Sequence, residues 1–73
     1  MALPFTNAIR TLRFLTGEMT QAELGERVGV TRQTIAAIEQ GKYSPSLEVA
    51  FRIALVFGKP LDAVFIWQEP PAP

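Results

Sequence analysis

Seventy-three residues with a 48% apolar fraction, no cysteine and no histidine fit one small domain, held by packing and association rather than by disulfides or a thiolate or imidazole metal site. Net charge is zero and the sequence pI is about 6.2. That leaves nucleic-acid binding to the distribution of charge rather than its sum, because such modules are usually basic overall. Arg10 and Arg13 stand alone before residue 18, Arg27, Arg32 and Lys42 gather in the middle, and Glu18, Glu23 and Glu26 lie between them, which allows a dipolar surface.

In chain order, the opening Met1-Ala2-Leu3-Pro4-Phe5 lacks the basic and apolar regions of a signal peptide. The longest apolar run, Ala63 to Trp67, is far below the roughly 20 residues of a membrane span, so a cytoplasmic location with no membrane partner is expected. A first helix is predicted from Asn7 to Thr16, capped by Thr6 or Asn7, with Ile9, Leu12 and Leu15 at helical spacing and Gly17 ending it. Thr20 and Glu23 form the capping-box pattern that starts a second helix, which runs to Val28 and stops at Gly29. Thr31 caps a third helix that extends to Gln40 and is closed by Gly41. Ser46 caps a fourth, which carries Leu47, Ala50, Ile53, Ala54 and Phe57 inward and ends at Gly58. Pro60 sits where the first turn of a fifth helix tolerates it. The expected fold class is all-α, a compact five-helix bundle over residues 1–69, followed by a proline-rich, disordered tail at 70–73.

Two short helices separated by Gly29, Val30 and a cap have helix-turn-helix spacing, placing the motif at residues 20–40. Leu24, Val28, Val30, Ile35 and Ile38 supply apolar contacts, Gly25 is small enough for a close crossing, and Gly29 permits a turn with positive φ. At 100° per residue, Thr31, Ile35 and Ile38 fall on one side of the third helix. Gln33, Ala36, Ala37 and Gln40 fall on the other, with Arg32 beside them. That outward face is slim and amide-bearing. Small alanines allow close approach to a major groove, where Gln pairs bidentately with adenine and Arg with guanine, so Arg32, Gln33, Ala36 and Ala37 are the candidate base-contacting residues.

The segments Thr20-Gln21-Ala22-Glu23-Leu24-Gly25, Val30-Thr31-Arg32-Gln33-Thr34-Ile35, Ile38-Glu39-Gln40-Gly41-Lys42 and Pro45-Ser46-Leu47 resemble the Xre family of lambda-repressor-like helix-turn-helix regulators, over about residues 7 to 66. The ending Phe65-Ile66-Trp67-Gln68 is similar to that of small stand-alone regulators of the cytolysin-repressor type. The stretch Phe14 to Met19 departs from the family by one additional residue. The resemblance implies a sequence-specific transcriptional repressor that binds double-stranded DNA at an inverted-repeat operator as a homodimer. It implies that Gln21 holds a phosphate at a helix N-terminus and that Arg13 and Glu39 form a structural pair joining helices one and three. Thr20, Thr34, Lys42, Tyr43 and Ser44 are the further candidate phosphate contacts. Gln40 and Arg10 are weaker candidates for DNA, and solvent exposure alone accounts for Arg10.

Val64, Phe65, Ile66 and Trp67 are consecutive large apolar residues that so small a chain cannot bury entirely. They and Leu3-Pro4-Phe5 could pair as a short antiparallel terminal ribbon, with Phe65 inward and Ile66 or Trp67 offered to a second subunit. Alternatively, Trp67 closes the monomer core and Phe57 and Leu61 make the dimer contact. Phe57, Leu61, Phe65, Ile66 and Trp67 are thus the candidate interface. Asp62 and the six scattered glutamates have no acid–base spacing, and no phosphate loop is present, so no catalytic residue, cofactor, metal or small-molecule ligand is expected. The competing function is a protein-interaction module, such as an antitoxin subunit with secondary DNA binding.

Overall fold

The computed structural model of the chain describes residues 3–69, so the predicted tail at 70–73 lies outside the described residues. The element order is β1 (Phe5–Asn7), α1 (Ile9–Leu15), α2 (Gln21–Val28), α3 (Arg32–Glu39), α4 (Leu47–Phe57), α5 (Leu61–Val64) and β2 (Phe65–Trp67). It is the five-helix bundle, with a terminal two-stranded ribbon.

The three central helices start where short hydroxyl side chains satisfy an orphan backbone donor. The Thr20 Oγ1 accepts from the Glu23 amide at 3.0 Å, the Thr31 Oγ1 from the Thr34 amide at 3.1 Å, and the Ser46 Oγ from the Val49 amide at 3.2 Å. Gly29 at φ 84° and Gly58 at φ 63° close α2 and α4 in the left-handed conformation that costs glycine nothing.

The first helix departs from its predicted bounds. It spans Ile9–Leu15, not Asn7–Thr16, and Ala8 occupies its N-cap without a side-chain bond. Thr6 and Asn7 belong instead to β1, which pairs antiparallel with β2 in the register Phe5↔Trp67, Thr6↔Ile66 and Asn7↔Phe65. Asn7 still serves the helix start, since its Oδ1 accepts from the Ile9 amide at 3.2 Å while its Nδ2 donates to the Ile38 carbonyl at 3.0 Å. Strand pairing at the chain ends outweighed a local capping preference. At the other end the chain leaves α1 through a turn in which Gly17 and Glu18 both adopt positive φ, 65° and 56°. Glu18 carries the strain, as left-handed backbone costs a non-glycine residue about 1 kcal/mol or more.

The core consists of Ile9, Met19, Leu24, Val28, Ile35, Ile38, Ile53, Ala54 and Val64, one contiguous cluster drawn from all five helices and the turn after α1. Leu12, Val30, Val49, Phe57, Leu61 and Phe65 lean on it, partly buried. Two predicted inward residues do not reach it: Leu15 is 71% exposed and Leu47 is 68% exposed. Each sits at a helix end, where the chain leaves the bundle before the side chain can be covered. Thr31 is exposed too, its hydroxyl used in the cap. Conversely Met19, which no helical pattern points to, is almost fully buried.

Candidate nucleic-acid interface

Gly25 sets how α2 and α3 meet. A Cβ built on it would lie 2.6 Å from the Val30 carbonyl oxygen and 3.2 Å from the Thr31 carbonyl, so the backbone leading into α3 passes over this position with no room for a methyl group. The Gly25 carbonyl accepts from the Gly29 amide at 2.8 Å and the Val30 amide at 2.9 Å, which fixes the turn. Ile35 and Ile38 anchor α3 in the core. The opposite side of α3 is therefore presented outward by the bundle.

On that side Arg32 and Gln33 are exposed in the first turn, Ala36 and Ala37 are half-buried, and Gln40 is exposed at the end. Thr34 is half-buried, with its hydroxyl 3.0 Å from that of Thr31. Lys42, Tyr43 and Ser44 are exposed in the loop between α3 and α4. Thr20 is exposed at the start of α2, but its hydroxyl is occupied, accepting from the Glu23 amide and donating to the Glu23 Oε1 at 3.2 Å.

Behind α3 lies a charge-balanced clasp. The Arg13 Nε donates to the Glu39 Oε2 at 2.7 Å and Nη2 donates to Oε1 at 3.0 Å, the two-pronged geometry that gives an arginine–carboxylate pair its strength. The third prong, Nη1, donates to the Met19 carbonyl at 2.8 Å, which ties the turn after α1 into the same contact. The hydrogen bonds to Glu39 raise the Arg13 guanidinium above an arginine's ordinary value, against a smaller opposing effect of burial. The Gln21 Nε2 donates to the Glu39 Oε1 at 3.3 Å, so this amide is oriented by the clasp and sits beside the free backbone donors of the α2 start. Arg10, Gln40 and Asn7 complete a polar depression with Arg13, Gln21 and Glu39. The Met19 carbonyl and the Ile38 carbonyl are structural partners that the sequence does not reveal, because a backbone acceptor carries no residue-type signal.

The terminal candidates separate by face. Phe5, Phe65 and Trp67 share one side of the ribbon, with Phe5 edge-on to Phe65 at 6.1 Å and stacked with Trp67 at 6.4 Å. Ile66 lies on the other side with Thr6, as the two-residue period of a strand requires. Phe57, Leu61 and Phe65 are half-buried, while Ile66 and Trp67 are exposed at 40% and 61%. Three further apolar residues, Leu47, Phe51 and Leu55, form an exposed stripe at i, i+4 and i+8 along α4.

A tight two-helix crossing with an outward third helix, braced from behind by an ion pair, is a helix-turn-helix arrangement. The helix-turn-helix family profile matches residues 14–64, and the chain belongs to this family of non-enzymatic DNA-binding transcriptional regulators. It is similar to an HTH-type transcriptional regulator of Methanocaldococcus jannaschii, 51% identical over 51 residues that cover 70% of this chain and 77% of the relative. It is also similar to the HTH-type transcriptional regulator YgzD of Bacillus subtilis, 49% identical over 63 residues covering 86% and 92% of the two chains. The cryptic phage CTXphi transcriptional repressor RstR of Vibrio cholerae is 35% identical over 57 residues, 78% of this chain and 50% of the repressor. Among solved structures, a protein from Bacteroides fragilis has the same fold, with a TM-score of 0.71 over 84% of this chain and 97% of that one at 21% identity. No helix among the described residues is long and apolar enough to cross a membrane.

Proposed function

We propose that this chain represses transcription in the cytoplasm by binding an inverted-repeat operator as a homodimer. The observation that carries this reading is the outward side of α3: Arg32 and Gln33 are exposed at its start, and Ala36 and Ala37 keep its flank slim. In this reading α3 enters the major groove, Arg32 and Gln33 contact base edges, and the two alanines permit the approach. Gln21, oriented by Glu39, together with Thr34, Lys42, Tyr43 and Ser44, grips flanking phosphates. Thr20 contributes through the helix start that it caps. The repressor RstR, 35% identical to this chain, supports the sign of regulation.

A two-fold dimer presents two copies of α3 to one face of the duplex, so half-site centres should lie about one helical turn apart. Selection from a random DNA library followed by footprinting tests this, and a single asymmetric half-site would sink the inverted repeat. Gln33→Ala should cost about 1–3 kcal/mol on the selected site and relax preference at one base pair. Lys42→Ala should weaken all sequences about equally and flatten the salt dependence. If both variants behave identically on random DNA, the assignment of Gln33 to base reading fails. Binding that is insensitive to salt would instead favour the protein-interaction module.

For the dimer we place the contact on the ribbon, through Ile66 on one side or Trp67 and Phe65 on the other, with Phe57 and Leu61 as the alternative contact. Light scattering at micromolar concentration should give a dimer for the wild type and a shift toward monomer for Ile66→Ala and Trp67→Ala. Equal dimer mass for all three would move the interface elsewhere, with the α4 stripe the next surface to test.

A further inference from the structure

Between the ribbon and α4 lies a groove of about 590 Å³, within the range of roughly 300–1,000 Å³ usual for small-molecule sites. Its walls are Phe5, Phe65 and Trp67 from the ribbon, Leu47 and Ala50 from α4, and Leu61 from α5. The remaining lining residues are Pro45, Ser44 and Asp62. Asp62 is thus the one charged group of the lining, and no lysine or arginine faces it there. Among the described residues Asp62 has no salt-bridge partner. An aromatic wall has a negative π face, so it and a single carboxylate attract the same class of guest.

We infer that this groove binds a lipophilic organic cation. The apolar body of the guest lies against the aliphatic and aromatic walls, its charge lies toward the Asp62 carboxylate, and an anion of equal size is disfavoured. The groove joins Phe5 to Phe65 and Trp67, residues from opposite ends of the chain that no local sequence pattern brings together. Because Ser44 and Pro45 form part of the wall directly after Lys42 and Tyr43, occupancy acts on the loop read above as a phosphate clamp. This regulatory half rests on the proposed DNA binding; the cation site itself does not. Leu61, Phe65 and Trp67 also belong to the proposed dimer contact, so cation and second copy compete for this surface.

The test uses two probes of nearly equal shape and opposite charge, tetraphenylphosphonium and tetraphenylborate, titrated into the full chain at low micromolar concentration. Trp67, the chain's single tryptophan, reports from inside the groove. The expected result is a saturable change in its emission with the phosphonium, with the borate bound about tenfold more weakly, a difference of about 1.4 kcal/mol. Asp62→Asn should weaken the phosphonium about threefold and bring the two probes together, a modest effect because Asp62 is exposed to water. Leu47→Ala should weaken both probes without changing their order. Absence of a saturable signal, or equal binding of the two probes, would overturn the proposal and leave the groove as a surface for a second copy. Operator retention is measured separately, with and without the phosphonium. A threefold or greater loss of DNA affinity in the wild type that Asp62→Asn diminishes supports the regulatory half. Unchanged affinity with the groove occupied overturns that half alone, and failure to bind DNA at all is a failure of the operator reading instead.

Discussion

Gly25→Ala is expected to destabilise the fold by at least about 2 kcal/mol and to lower Tm by about 10 °C or more, against the usual sign for this substitution in a helix. Alanine is ordinarily favoured over glycine inside a helix by about 1 kcal/mol. Here the new methyl would meet the Val30 carbonyl oxygen at 2.6 Å and the Thr31 carbonyl carbon and oxygen at 3.2 Å, atoms of backbone that no rotamer change can move. Relief requires α3 to shift away from α2, which also displaces Arg32 and Gln33. Thermal unfolding followed by circular dichroism checks the stability, and operator retention checks the displacement. A Tm equal to or above that of the wild type would mean that the crossing is not limited by this position. Ala22→Gly, at an exposed site in the same helix, provides the reference for propensity alone.

Glu39→Ala should cost about 2–3 kcal/mol, lowering Tm by on the order of 10–20 °C, far more than removal of a surface charge. The side chains of Arg13 and Glu39 are only 14% and 8% exposed, so the deletion leaves a guanidinium largely shielded from water with two of its three partners gone. The loss also frees Gln21, so weaker phosphate binding should accompany the lower stability. Arg13→Met combined with Glu39→Met should recover much of the stability, because an apolar pair leaves no stranded charge. If the single variant melts within a degree or two of the wild type, the clasp does not hold the bundle together. The arginine half of this contribution does not titrate in the ordinary range. Arg13 is raised in the fold, so its stabilisation is fully present below the unfolded arginine value and is lost only as pH rises through the still higher folded one.

Signals that act within one helical turn were legible from residues alone. Thr20, Thr31 and Ser46 each cap a donor three residues on, and Gly29 and Gly58 close helices in the conformation that only glycine adopts freely. These set α2, α3 and α4, and with Gly25 they made the helix-turn-helix spacing readable. The resemblance to known regulators pointed to Arg13 and Glu39 as partners, something that spacing cannot do for residues on separate helices. What stayed hidden depends on groups distant in sequence. The ribbon register holds Gln68 against Thr6 across 62 residues and converts the predicted start of α1 into a strand. Tertiary structure likewise decided that Leu47 faces outward, that Met19 closes the core and offers its carbonyl to Arg13, and that Asp62 joins an aromatic groove. A cap or a turn lowers its energy through neighbours along the chain, so one stretch of sequence determines it. The burial of a side chain at a helix end, or the charge of a groove, depends on which distant surfaces the closed bundle brings beside it.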